Sequence, residues 1–243
     1  MSHGIRVLLG AVLLSGMALL DNSSLFIDSV LAQEQDYPHA FPRPGVIKLL
    51  DNERVLIWEV VWPDGAPAPY HRHQYDMTGV FLRWGPLRVT RLDGTYTDSL
   101  EPFEVPSVFF LEKGVTHKEE GIGTPERHSI MIDLKEYTVP AMNRRGDEIN
   151  PFHPGSGEEL LDNERLTINH LNLQTGQSFP LHYHAEDSVL VFLSGGTLRL
   201  ISDDGQQEYK NLTRKDVWYL PRGQSHSLEV VSGSPEIMLY QLK

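Results

Sequence analysis

The chain has 243 residues with a formal charge of −12, 40% hydrophobic and 22% charged residues, and no cysteine. That size and mix suit one large or two small soluble domains with a real core. The acidic balance argues against nucleic-acid backbones and anionic lipid as partners. The lack of cysteine excludes disulfides, thiolate metal sites and thiol nucleophiles.

In chain order, the first predicted element is a secretory signal peptide over residues 1–32. Arg6 precedes an uncharged apolar run over residues 7–20, and Val30-Leu31-Ala32 offers a cleavage site. The stretch from Asp21 to Ala32 is long for a cleavage region. The apolar run is short of the roughly 20 residues a membrane span needs, so no stable span is expected in the mature chain. The expected destination is the periplasm or the exterior, reached unfolded because no twin arginine is present.

A first domain is expected over residues 41–137. RVLIWEVVW (54–62), MTGVFLRW (77–84), PLRVTRL (86–92) and SVFFL (107–111) are apolar or alternating runs bounded by turn residues. They read as short strands. The Asp93-Gly94 pair marks a hairpin. A linker rich in Pro, Gly and charge follows over residues 138–158. The second domain, 159–243, repeats the pattern with LTINHLNL (166–173), SVLVFLSG (188–195), TLRLIS (197–202), VWYL (217–220) and EIMLYQL (236–242). No convincing helical period occurs in the mature chain. The fold class is therefore all-β, two sandwiches or barrels.

The two halves are one sequence written twice. LLDNER stands at 49–54 and again at 160–165, and a constant offset of 111 residues then aligns Leu49–Gly94 with Leu160–Gly205 without a gap. Nearly half of those positions are identical, including Gly65/Gly176, Pro69/Pro180, His71/His182, His73/His184, Asp76/Asp187 and Arg88/Arg199. After a two-residue slip, SVFFLEKGVTH (107–117) matches DVWYLPRGQSH (216–226). A period this long is a duplicated domain, not a solenoid repeat.

Each copy supplies three histidines: His71, His73 and His117, then His182, His184 and His226. In H-x-H on a strand the two side chains share one face, about 6–7 Å apart at the backbone. Two imidazole nitrogens can then converge on one ion at about 2.1 Å. A lone pair of this kind is usually solvated. Six of eleven histidines on matched positions of a diverged repeat favour a metal in each copy. Three histidines leave coordination positions open, as catalytic metal sites do.

At these residues the chain resembles the cupin superfamily. Gly65–His73 and Gly176–His184 are similar to the first cupin motif, and Pro221–His226 is similar to the second. The resemblance covers nearly all of 41–243 and implies a bicupin. Its expected architecture is two tandem antiparallel jelly-roll barrels, each holding one divalent transition metal (Fe, Mn, Zn, Cu or Ni) near its mouth. The sequence departs from the pattern in places. The glutamate usually found four or five residues after the second histidine is absent, with Met77 and Thr78 or Ser188 and Val189 there instead. Glu112 stands where the second motif has proline. Both copies keep Asp76 and Asp187, which are candidates for a fourth ligand, an acceptor orienting a histidine, or a strand-end hydrogen bond.

Arg88 and Arg199 are candidate carboxylate binders, and Glu59 and His170 candidate acid–base groups. The two arginines are equally readable as exposed barrel-rim residues, and Glu59 and His170 read more simply as exposed strand residues. Trp62, Trp84, Tyr75, Trp218 and Tyr219 read as core or interface. The expected partner is a small molecule, with a homo-oligomer also open. The expected function is a metal-dependent, dioxygenase-like oxidation of a small oxygen-rich molecule. The alternatives are a non-catalytic binding protein for a sugar or acid, and a metal-dependent isomerase.

Overall fold

A computed structural model describes residues 36–43, 45–138 and 157–243. The expected signal peptide and nearly all of the expected linker lie outside these residues. The described chain is all strand, with no helix among the described residues. The first nine strands are β1 (Val46–Asp51), β2 (Val55–Trp62), β3 (His71–Arg72), β4 (Asp76–Arg83), β5 (Leu87–Arg91), β6 (Tyr96–Ser99), β7 (Ser107–Leu111), β8 (Thr116–Gly121) and β9 (Arg127–Leu134). The second nine are β10 (Gly157–Asp162), β11 (Leu166–Asn172), β12 (Ser178–Tyr183), β13 (Asp187–Phe192), β14 (Gly196–Ser202), β15 (Gln207–Leu212), β16 (Val217–Leu220), β17 (Ser225–Gly233) and β18 (Glu236–Leu242).

Each set of nine makes two facing antiparallel sheets. The first set forms β1-β2-β9-β4-β7 and β3-β8-β5-β6; the second forms β10-β11-β18-β13-β16 and β12-β17-β14-β15. The strand orders superpose element by element, so the sequence repeat is a repeat of whole barrels.

The strand β2 shows why its sequence is apolar almost throughout. Its side chains alternate between two faces. Leu56, Trp58, Val60 and Trp62 fill the first barrel. Val55 and Ile57 point the other way, into a cluster shared with Leu166, Ile168, Val189, Val191, Met238 and Tyr240 of the second barrel. The two five-stranded sheets are therefore stacked face to face, and a strand buried on both sides reads as a continuous apolar run.

LLDNER is the joint of this arrangement. Asn52 Oδ1 accepts from the backbone N–H groups of Arg54 and Val55, and Asn163 Oδ1 does the same for Arg165 and Leu166. Asp51 pairs with Lys135 and Asp162 with Lys243. The arginines cross between barrels: Arg54 pairs with Asp187 at 3.4 Å, and Arg165 with Asp76 at 2.7 Å. The contact is reciprocal, as expected when two copies of one module meet about a two-fold axis.

Candidate metal centres

The third histidine of each copy is brought to the first two by sheet register. His71 pairs with His117 across β3 and β8, and His182 with His226 across β12 and β17. A tight turn precedes each third histidine, with Gly114 at φ +93° and Gly223 at φ +84°. These turns hydrogen-bond back to the H-x-H segment: Gly114 N–H donates to His73 O at 2.7 Å, and Gly223 N–H to His184 O at 2.8 Å. His73 N–H and His184 N–H donate in return to Val115 O and Gln224 O.

Both triads are buried, and their potential ligand atoms lie within 4.8 Å of one another. His73 Nε2 stands 3.1 Å from His117 Nε2. His184 Nε2 stands 3.2 Å from His182 Nε2 and 3.5 Å from His226 Nε2. Two nitrogens each about 2.1 Å from one ion, at right-angled to tetrahedral separation, are about 3.0–3.4 Å apart. The tautomers suit a metal as well. His71 Nδ1 donates to Pro69 O at 3.0 Å and His182 Nδ1 to Pro180 O at 2.8 Å, which leaves Nε2 proton-free and turned inward. His71 Nε2 is buried with no hydrogen-bond partner.

Burial disfavours the charged form of His71, His73, His182, His184 and His226. It pushes His71 down to about 4 and His73 to about 3. In the second barrel it lowers His182, pushes His184 to about 3 and His226 to about 4. Neutral imidazoles converging on one point are a cation-binding arrangement, and the two groups support one divalent metal in each barrel.

The structure takes the other candidates elsewhere. Asp76 accepts from Lys113 N–H and pairs with Arg165, while Asp187 accepts from Arg222 N–H and pairs with Arg54. They end strands and join the barrels; neither is in a histidine group. Arg88 forms a two-pronged pair with Asp98, both contacts 2.8 Å, and Arg199 pairs with Glu229. Arg88 aligns with Glu120, whereas the inward residues of β8 are His117, Glu119 and Gly121. Arg199 likewise aligns with Glu229, between the buried Leu228 and Val230. Both arginines therefore face away from the barrel interior. Glu59 shares the outward face of β2 with Val55 and Ile57 and binds His128 at 2.7 Å and Lys215 of the second barrel at 2.8 Å. His170 binds Glu236 at 2.8 Å. None of these four lines a metal centre.

One residue missed by the sequence reading stands beside the first triad. Glu119 is 7% exposed. Its Oε2 accepts from Arg43 and Trp62 Nε1, each at 2.9 Å, and its Oε1 lies 3.5 Å from His117 Nε2. Burial acts to raise its pKa, but the His117 contact and the Arg43 charge outweigh that and hold it well below the usual carboxylate range. Strand alternation places 117 and 119 on one face, and that was the available signal. Asp133 is also buried in this barrel, with His39 at 2.8 Å and Trp58 Nε1 at 3.0 Å on its Oδ2. His39 and Arg43 belong to residues 36–43, which lie across the first barrel; Pro38 O accepts from Arg72 N–H, and Phe41 packs on Trp58.

The second barrel is different. Its interior is apolar, with Leu171, Leu173, Phe179, Leu198, Leu228 and Val230. A cleft of about 810 Å³ lies along β15 and β16 and reaches His226. Gln206, Glu208, Lys210, Trp218 and Gln224 are among its walls.

Two tandem jelly-roll barrels, each with a converging H-x-H plus one histidine, are the architecture of a bicupin. Solved structures share the fold. AerE from Microcystis aeruginosa is similar over 85% of this chain and 98% of its own, at 14% identity and a TM-score of 0.59. Bacillus subtilis oxalate decarboxylase, in a study of its Mn(II) centres, matches 82% of this chain and 72% of its own at 13% identity and a TM-score of 0.52. A tryptophan variant of that enzyme matches 85% and 78% at 12% identity and 0.54. At these identities the likeness is one of fold. No protein-family model and no curated protein matches the sequence.

Proposed function

We propose that this bicupin is a metal-dependent enzyme whose second barrel carries the reaction, a dioxygenase-like oxidation of a small oxygen-rich molecule. The observation that carries this reading is the cleft that reaches His226 beside a neutral three-histidine group. Structural metal sites are closed, whereas catalytic ones keep an open position. In the first barrel, residues 36–43 cover the interior and Arg43 reaches the metal group, which suits a structural or supporting role.

Three neutral ligands leave the 2+ charge of a bound ion uncompensated. That favours an anionic or chelating molecule such as an enediolate, a catecholate or a carboxylate. A redox-active ion there supplies electron transfer between substrate and O₂. The chain's own contribution is to fix the His182 tautomer through Pro180 O, to keep the triad neutral by burial, and to line the entrance with polar groups and Trp218. Export in the unfolded state, if the leader is used, would have the metal chosen in the envelope, where copper and zinc compete strongly for nitrogen ligands.

The second reading is decarboxylation of a small carboxylic acid. It is favoured by the shared fold with an oxalate decarboxylase that has Mn(II) centres, an argument from fold alone. One experiment separates these readings. Metal-free protein is reloaded with Mn, Fe, Cu, Ni or Zn and given a panel of diketones, flavonols, catechols and small dicarboxylates. Oxygen uptake supports oxidation, and CO₂ release without uptake supports decarboxylation. Tight binding with neither means a binding protein, and conversion with neither means an isomerase; both refute the leading proposal.

A further inference from the structure

The first centre has an acid where the second has none. Glu119 stands two residues after His117 on β8 and faces the barrel interior; Leu228 stands two residues after His226 on β17 and packs in the apolar core. The donor that holds Glu119 changes with it: Trp62 corresponds to Leu173 in the aligned repeat. Acid and donor thus occur together in one barrel and are both replaced by leucine in the other.

The contacts around Glu119 are close, and they leave His71 Nε2 without a hydrogen-bond partner. His117 Nε2 is 3.1 Å from His73 Nε2 and 3.5 Å from Glu119 Oε1. A single nitrogen cannot donate one proton along both directions. His71 Nε2 lies 4.0 Å from Glu119 Oε2 and has no hydrogen-bond partner. The three histidine nitrogens converge within 4.8 Å of one another; Glu119 lies outside that group, with its oxygens 3.5 Å from His117 and 4.0 Å from His71. Arg43 and Trp62 hold Oε2, so the carboxylate is fixed with Oε1 turned to the histidines.

We propose that Glu119 is the fourth metal-binding side chain of the first barrel, so the chain carries two unlike centres: three histidines and a carboxylate in the first, three histidines alone in the second. This rests on the reading that the triads bind metal. A carboxylate favours harder ions such as Mn²⁺ relative to an all-imidazole set. The first centre is therefore the tighter Mn²⁺ site.

The test uses the full chain carrying H182A and H184A, so that the first centre is measured by itself. Mn²⁺ binding is followed by loss of the free-ion EPR signal, and the fold by thermal melting of the metal-free protein. E119Q keeps the shape and the acceptor for Arg43 and Trp62; it should weaken Mn²⁺ binding at least about tenfold. R43Q keeps the carboxylate and should retain binding. E119D, the alternative if E119Q fails to fold, keeps the charge but draws the oxygen back, and should also weaken binding. Unchanged Mn²⁺ affinity in a folded E119Q overturns this inference alone. Equal losses in E119Q and R43Q also overturn it, because Glu119 would then act only through its arginine. No Mn²⁺, Fe²⁺ or Zn²⁺ binding before any change at Glu119 overturns the metal reading itself.

Discussion

Changing His184 to alanine removes the nitrogen that stands 3.2 Å from His182 Nε2 and 3.5 Å from His226 Nε2. Structural zinc sites with four ligands bind with about 10–16 kcal/mol, or about 3 kcal/mol per ligand. Losing one ligand of three should therefore weaken the second centre by about two orders of magnitude. The cost to the metal-free fold should be small, because the lost group is an acceptor facing other acceptors. At a metal concentration 100 times the dissociation constant, binding stabilises the fold by about 2.7 kcal/mol. For a chain of this size that is about 5–10 °C in melting temperature. The assay is metal content per chain after desalting, with melting curves with and without metal. The H184A protein should lose one ion per chain and the corresponding part of the metal-dependent rise in melting temperature. Undiminished metal content and an undiminished rise would show that these nitrogens do not hold an ion, and the argument from their spacing would fall.

The remaining predictions concern the joint and the acid response. Arg54 is the more buried of the two crossing arginines, with side-chain exposure of 8% against 29% for Arg165. R54A should therefore cost about 1–3 kcal/mol in urea unfolding through its lost buried contacts, with Asp187 still held by Arg222 at 3.3 Å; an unchanged unfolding midpoint would refute the assignment. Ile130→Ala, at a fully buried site between the barrels, should cost about 2–5 kcal/mol by the same measurement, and a cost below about 1 kcal/mol would mean the sheets do not stack as described. The metal-free protein should lose stability as pH falls from about 6.5 toward 4. Folding lowers the histidine pKa values, so the unfolded chain binds more protons in that window and stability rises with pH. A flat melting temperature across that window would contradict the burial of the triads.

Particular residues show how far the sequence reached. Period-two alternation and the 111-residue offset are local or self-comparative signals, so both barrels and the two groups of three histidines were legible. Asp76 and Asp187 were noticed because both copies have them, but their role was not legible. Their partners, Arg165 and Arg54, lie in the opposite copy, and pairing between copies leaves no trace in spacing. Arg88 and Arg199 misled for a similar reason: an identical arginine suggests ligand recognition, and only strand register shows that it faces outward. Glu119 was passed over because the motif places its acid after the H-x-H.

The sequence by itself determined that there are two all-β barrels and that each carries an H-x-H pair on one strand face with a third histidine further along, because strand periodicity and duplication are written along the chain. The tertiary structure alone decided which face of each five-stranded sheet meets the other barrel, that LLDNER is the joint, and that the two centres are unlike. Those outcomes depend on contacts between residues far apart in the chain, such as Arg43 with Glu119 and Arg165 with Asp76. They follow from packing and register, which a one-dimensional pattern constrains only within a strand.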